Sequence, residues 1–193
     1  MTHLHFLDFF GAACGLLYLY YEFRASIWLW AVSIIMPAID IFVYFEAGLY
    51  ADVAMAAYCL LAAIYGWFVW QKRGKGGSQK EQFPISATPK RLYLPISGTF
   101  LLIWGGSYAA LVHFTDSSVP IADSLGNSLT VIAMWMLSRK YIEQWWVWFV
   151  CDIIAFVLYI HKGIYFHSAL YGIYTVMAVM GYLRWRKMIT VRN

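Results

Sequence analysis

A chain of 193 residues that is 62% hydrophobic and 20% aromatic but only 12% charged lies well above the roughly 45–50% apolar content of soluble domains. It reads as an integral membrane protein, and at about 20–25 residues per crossing it has room for about seven helices in one compact bundle. The net charge of +4 has a local explanation in topology and anionic lipid, and the basic residues are not interleaved with aromatics along a groove, which sets aside nucleic acid as a partner.

Seven apolar stretches follow one another. The first, residues 4–21, lacks a basic leading region and a small-residue cleavage site and reads as a retained helix, not a signal peptide. Residues 27–45, 49–70, 92–114, 120–137, 142–160 and 164–183 complete the set. The single stretch of soluble composition is 71–91, carrying Gly74, Gly76, Gly77, Ser78, Pro84 and Pro89, and it reads as a flexible loop. Gly74-Lys75-Gly76-Gly77 within it has neither the preceding strand nor the spacing of a phosphate loop. Cys14, Cys59 and Cys151 sit in apolar runs and make an odd number, which argues against a disulfide framework or a thiolate metal site.

Alternate threading of seven crossings places Arg24, Lys72, Arg73, Lys75, Lys80, Lys90, Arg91, Arg139, Lys140, Arg184, Arg186, Lys187 and Arg192 on one side and leaves Lys162 on the other. The positive-inside rule makes the basic side cytoplasmic. A multi-pass membrane protein is expected, its N-terminus outside and its C-terminus inside.

The chain also repeats itself. A constant offset of 115 residues pairs Gly48-Leu49-Tyr50 with Gly163-Ile164-Tyr165, Arg24 with Arg139, Trp30 with Trp145, Gly66 with Gly181 and Trp70 with Trp185. Three-helix units of equal orientation need an odd helix between them. The expected fold is therefore all-α and integral to the membrane, with seven transmembrane helices as 3+1+3 parallel repeats. It forms a single membrane domain over 1–193, with repeats at 4–71 and 120–185 and a linking helix at 92–114. Transporters of this build bind substrate near the midplane between the repeats.

Chemistry concentrates in 141–159. Trp145, Trp148 and Asp152 stand at i, i+3 and i+7, so two indoles and a carboxylate share a helix face. Asp152 falls near the middle of its span, where an ionisable residue costs about 2.5–3.5 kcal/mol on insertion scales. An aromatic cation would offset that cost, each indole adding about 0.5–2 kcal/mol of cation–π contact. A carboxylate paired within the bundle, or held protonated, is the alternative.

The matching face of the first repeat carries Trp30, Ser33, Pro37, Asp40 and Tyr44. Asp40 corresponds to Ala155, so the two acids are not symmetric copies; it serves an entry path or is a hydrated interfacial residue. Pro37 removes a backbone donor and frees the Ser33 carbonyl, a hinge for alternating access or a packing feature. Tyr171 and Tyr174 in the last span point toward a pocket, among tyrosines that otherwise pack the bundle. His3, His5, His113, His161 and His167 fall near the outer side without ligand spacing, so no metal site is expected. Neither a nucleophile–base pair nor a metal motif nor an ATP-hydrolysing element is found, which argues against an enzyme and against a bound cofactor.

Ser138-Arg139-Lys140-Tyr141-Ile142-Glu143-Gln144-Trp145, followed by Trp148, resembles the signature of the PnuC family of bacterial vitamin transporters. In that family a basic-Lys-Tyr-x-Glu-Asn-Trp run leads into a Trp-x-x-Trp-x-x-x-Asn helix. Gly48-Leu49-Tyr50-Ala51 and Ile64-Tyr65-Gly66-Trp67 are similar to family stretches of the first repeat, so the likeness covers nearly the whole chain. It implies a SWEET-like 3+1+3 fold and facilitated diffusion of an unphosphorylated vitamin precursor, which a cytoplasmic kinase then traps. It also implies that Trp145 and Trp148 touch the substrate. The chain departs from the namesake branch at Asp152, where that branch has asparagine, and at Ala56, Ala63 and Met180, where it has amides. A carboxylate suits nicotinamide riboside or thiamine alike; neutral riboflavin gains nothing from it.

The combined expectation is a facilitator for a small cationic vitamin precursor in the lipid bilayer, with Trp145, Trp148, Asp152, Trp30, Ser33, Asp40, Tyr171 and Tyr174 binding substrate. The sequence leaves open whether a homo-oligomer forms. The competing reading is a membrane receptor or scaffold without transport, whose basic loop 71–91 engages a partner.

Overall fold

With no water in the bilayer core to satisfy the backbone, an apolar chain must close its hydrogen bonds within each segment, and helices result. The computed structural model describes residues 2–73, 84–115, 119–161 and 163–190. Among them are α1 (Thr2–Phe23), α2 (Trp28–Glu46), α3 (Tyr50–Arg73), α4 (Tyr93–Phe114), α5 (Pro120–Ser138), α6 (Gln144–His161) and α7 (Tyr165–Thr190), with a 3-10 turn Lys90–Leu92 ahead of α4. Lys75, Lys80, Lys162, Arg192 and the Gly74-Lys75-Gly76-Gly77 run lie outside the described residues, as do the side chains of His3, His5 and Arg73.

Side-chain capping contributes little: Ile27, Leu92 and Val119 precede α2, α4 and α5 without a capping hydrogen bond, although Pro120 opens α5 with its φ preset for the helix. The helix ends are closed by one repeated device. Ser26 N–H donates to Tyr21 O at 2.9 Å, Leu49 to Tyr44 at 2.9 Å, Tyr141 to Met136 at 3.1 Å and Ile164 to Tyr159 at 2.9 Å. Each turn passes through a left-handed residue: Ala25 (φ 51°), Gly48 (72°), Lys140 (53°) and Gly163 (72°). The four turns fall into two pairs at the 115-residue offset.

Helix α7 runs seven residues beyond the apolar span read from the sequence, past Arg184, Arg186 and Lys187. The extension carries Trp185, fully buried, so packing rather than hydropathy sets that boundary. Four helical stretches, Trp28–Glu46, Asp52–Lys72, Lys90–Phe114 and Gln144–His161, are long and apolar enough to cross a membrane. Large apolar side chains such as Phe42, Leu94, Leu102 and Phe114 are turned outward, the pattern of a lipid-facing surface.

The chain forms two compact units, residues 1–83 and 84–193. In the first, α2 packs on α1 and α3; in the second, α5 packs on α4 and α6, and α6 on α7. Both ends of the stretch 71–91 depart from the loop reading, while residues 74–83 lie outside the described residues. Gln71 and Lys72 continue α3, and the residues leading into α4 are held fast. Ser86 pairs in parallel with Tyr141, its N–H donating to Lys140 O at 3.1 Å and its carbonyl accepting from Ile142 N–H at 3.0 Å. The backbone N–H and Oγ1 of Thr88 both donate to Glu143 Oε2, at 2.8 and 2.7 Å. Composition suggests freedom here; a carboxylate remote in sequence removes it.

Candidate functional site

In unit 2 the basic turn after α5 leads directly into α6, the helix that carries Trp145, Trp148 and Asp152. Lys140 takes the left-handed conformation that reverses the chain, and Glu143, held by Thr88, fixes the start of α6. Gln144 follows, fully buried, and neither end of its amide finds a hydrogen bond among the described residues.

Trp145 comes next, at 1% exposure. Its ring stands edge-on to Trp185 of α7, centroids 5.5 Å apart and planes at 89°. It also lies over Gly181, where an added Cβ would sit 2.6 Å from the indole carbons. The glycine is needed because the indole occupies the space of a side chain. Further along, Ser168 Oγ donates to Phe156 O at 3.3 Å and Gly172 admits the Phe156 ring, so α6 and α7 are in contact over their length.

One turn beyond Trp145 the surroundings change. Trp148 is partly exposed, and among the described residues it has no aromatic partner; its Nε1 is buried without a hydrogen bond, as is that of Trp145. Asp152 follows at 7% exposure, and no hydrogen bond or ion pair to its carboxylate is formed among the described residues. Tyr171 and Tyr174 of α7 lie within electrostatic reach of it. Their rings meet each other at 5.5 Å. From α5, Thr130 Oγ1 and Gly126 O each lie 3.8 Å from Cys151 Sγ beside Asp152, while Ser124 and Ser128 turn their hydroxyls back onto their own helix.

Unit 2 therefore brings together five of the residues singled out from sequence: Trp145, Trp148 and Asp152 on α6, Tyr171 and Tyr174 on α7. The other three belong to unit 1. Trp30 is fully buried, edge-on to Trp70 at 5.5 Å and 87°, and its ring fills the place of a side chain at Gly66. Ser33 Oγ donates to Leu29 O at 2.8 Å and to Trp30 O at 3.3 Å, satisfying a carbonyl one turn back. Asp40 is half-buried, within reach of Cys59 on α3. Of the amide positions of the namesake branch, Ala56 and Ala63 are buried and Met180 is half exposed.

Two residues quoted with the signature were not singled out for the site. Gln144 stands at the signature's asparagine, a signal that an amide matters there. Glu143 is also a signature residue, but nothing in its spacing points to Thr88.

The chain matches the family model described as "Nicotinamide mononucleotide transporter" over residues 5–187. It is 23% identical over 165 residues to the nicotinamide riboside transporter PnuC of Escherichia coli (strain K12), with 74% of this chain and 69% of that protein covered. To the riboflavin/roseoflavin transporter RibM of Streptomyces davaonensis it is 25% identical over 187 residues, covering 95% of this chain and 85% of the relative. A crystal structure of the vitamin B3 transporter PnuC superposes with a TM-score of 0.73 over 94% of this chain and 81% of that one at 19% identity, a likeness of fold.

Proposed function

The chain belongs to the nicotinamide mononucleotide transporter (PnuC) family, and from that premise we propose that it is a facilitator for an unphosphorylated aromatic cation in a bacterial inner membrane, nicotinamide riboside before thiamine. The observation that carries this reading is Asp152: a carboxylate buried in the middle of an apolar helix, without a protein partner among the described residues and beside two tyrosines. A buried unpaired charge is costly, and a cationic ligand removes the cost.

Trp148, with its free face, is the stacking surface. Trp145 holds α6 to α7 through its ring and offers Nε1; Tyr171 and Tyr174 close the opposite wall. Trp30, Ser33 and Asp40 serve the corresponding face of the first repeat. Seven crossings as 3+1+3 repeats, one membrane domain with repeats at 4–71 and 120–185 and a linking helix at 92–114, are supported by the paired helix-ending turns and by the matched Trp30–Trp70–Gly66 and Trp145–Trp185–Gly181 clusters. The distribution of basic residues favours a cytoplasmic C-terminus, and in this reading a kinase there traps the product without having to bind this chain.

Proteoliposomes containing this protein alone decide the matter. Saturable uptake of nicotinamide riboside or thiamine that exceeds uptake of riboflavin is expected. Flux of riboflavin alone would sink the cation reading, and no flux of any of the three would favour a receptor or scaffold.

A further inference from the structure

The rings beside Asp152 continue away from it. Tyr171, next to Tyr174, stacks on Tyr159 of α6 with centroids 5.3 Å apart and planes at 19°, and Tyr159 lies 5.4 Å from the imidazole of His167. His167, Tyr171 and Tyr174 stand at i, i+4 and i+7 on one face of α7, and Tyr159 lies two turns beyond Asp152 on nearly the same face of α6. At 1.5 Å per residue each helix contributes a line of about 10 Å, running from Asp152 toward the α6–α7 turn, the end opposite the basic turn at Arg139. Helix α5 lies beside the inner end of the line, where Cys151, the neighbour of Asp152, is 3.8 Å from both Gly126 O and Thr130 Oγ1. At its far end His167 Nδ1 is buried without a hydrogen-bond partner among the described residues.

We infer that this line of rings is the path along which an aromatic cation travels between the α6–α7 end and Asp152, and that His167 sets the charge selectivity at its entrance. The inference rests on the transport reading above and assigns a route and a selectivity residue to it. Aromatic rings attract a cation without fixing it, which suits passage, and the carboxylate at the inner end is the stronger attraction. His167 is the nitrogen-bearing member of the line, and its buried Nδ1 has no hydrogen-bond partner among the described residues. The rings against it are Tyr159 from α6 and Phe166 from α7; Tyr171 stands four residues on along the same helix, stacked on Tyr159, and Asp123 of α5 is the charged group near Tyr159. A positive charge at His167 opposes the entry of a cation; a negative one favours it.

The test is a charge series in proteoliposomes at pH 7.5, with wild type, His167→Glu, His167→Gln and His167→Arg compared for nicotinamide riboside and thiamine. The half-saturation concentration is expected to rise at least threefold from Glu to Gln and again from Gln to Arg, with maximal rates within twofold. A packing role for His167 gives no ordering by charge, and should one variant fail to fold the remaining pair still reads the sign. Equal half-saturation in the variants, with wild type active, overturns the path and leaves the transporter standing; an inactive wild type overturns the transport reading itself.

Discussion

Trp145 and Trp185 meet edge-on at 5.5 Å and 89°, and Trp30 and Trp70 repeat the same meeting at 5.5 Å and 87°. In both cases the inner indole rests on a glycine, Gly181 or Gly66. Two edge-on indoles, the inner one against a bare backbone, make a joint with no room for a side chain at the glycine. Gly181→Ala should destabilise the protein by about 1–3 kcal/mol, the usual cost of forcing atoms into a full core. Gly105→Ala, where a Cβ meets nothing within 4 Å, should be neutral or mildly stabilising. Unfolding midpoints in detergent micelles compare the two; equal shifts would show that the indole moves aside freely.

Asp152→Asn keeps the shape of the side chain and removes its charge. Binding of nicotinamide riboside or thiamine should weaken more than tenfold, about 1.4 kcal/mol or more. Quenching of tryptophan fluorescence, with Trp148 as the nearest reporter, measures it, and unchanged affinity would take Asp152 out of the mechanism.

Gln144 carries a stability cost that substitution should remove. Its repeat counterpart Leu29 is also fully buried, so leucine fits that kind of site. Gln144→Leu relieves an unpartnered amide and should raise stability by about 1–3 kcal/mol. Lower stability instead would mean that a bound water or ligand satisfies the amide.

Thr88 and Glu143 form the joint between the segment entering α4 and the turn entering α6. Hydrogen bonds to a charged group are worth about 1.5–3 kcal/mol, and both go through one oxygen. Thr88→Ala and Glu143→Gln should therefore be non-additive in a double-mutant cycle. Glu143→Ala should speed tryptic cleavage at the exposed Lys90 and Arg91. Additive effects with unchanged cleavage would show that the joint bears no strain.

The sequence by itself determined the helices, because each is an apolar run that must satisfy its own backbone in lipid. The boundaries of α1 to α6 fall within a few residues of those runs. It also determined the repeat register, since the glycine turns at Gly48 and Gly163 and the paired tryptophans are spelled out at one offset. Tertiary structure decided which neighbour each side chain meets. Trp145 and Trp148 differ by about 60° of arc on an α-helix. That difference is enough to bury one indole against Trp185 and leave the other without an aromatic partner among the described residues. It likewise decided that Glu143 binds Thr88, 55 positions away, and that α7 continues past its apolar stretch to carry Trp185. Spacing along one helix fixes a face, and only the packing of a second helix says what that face meets.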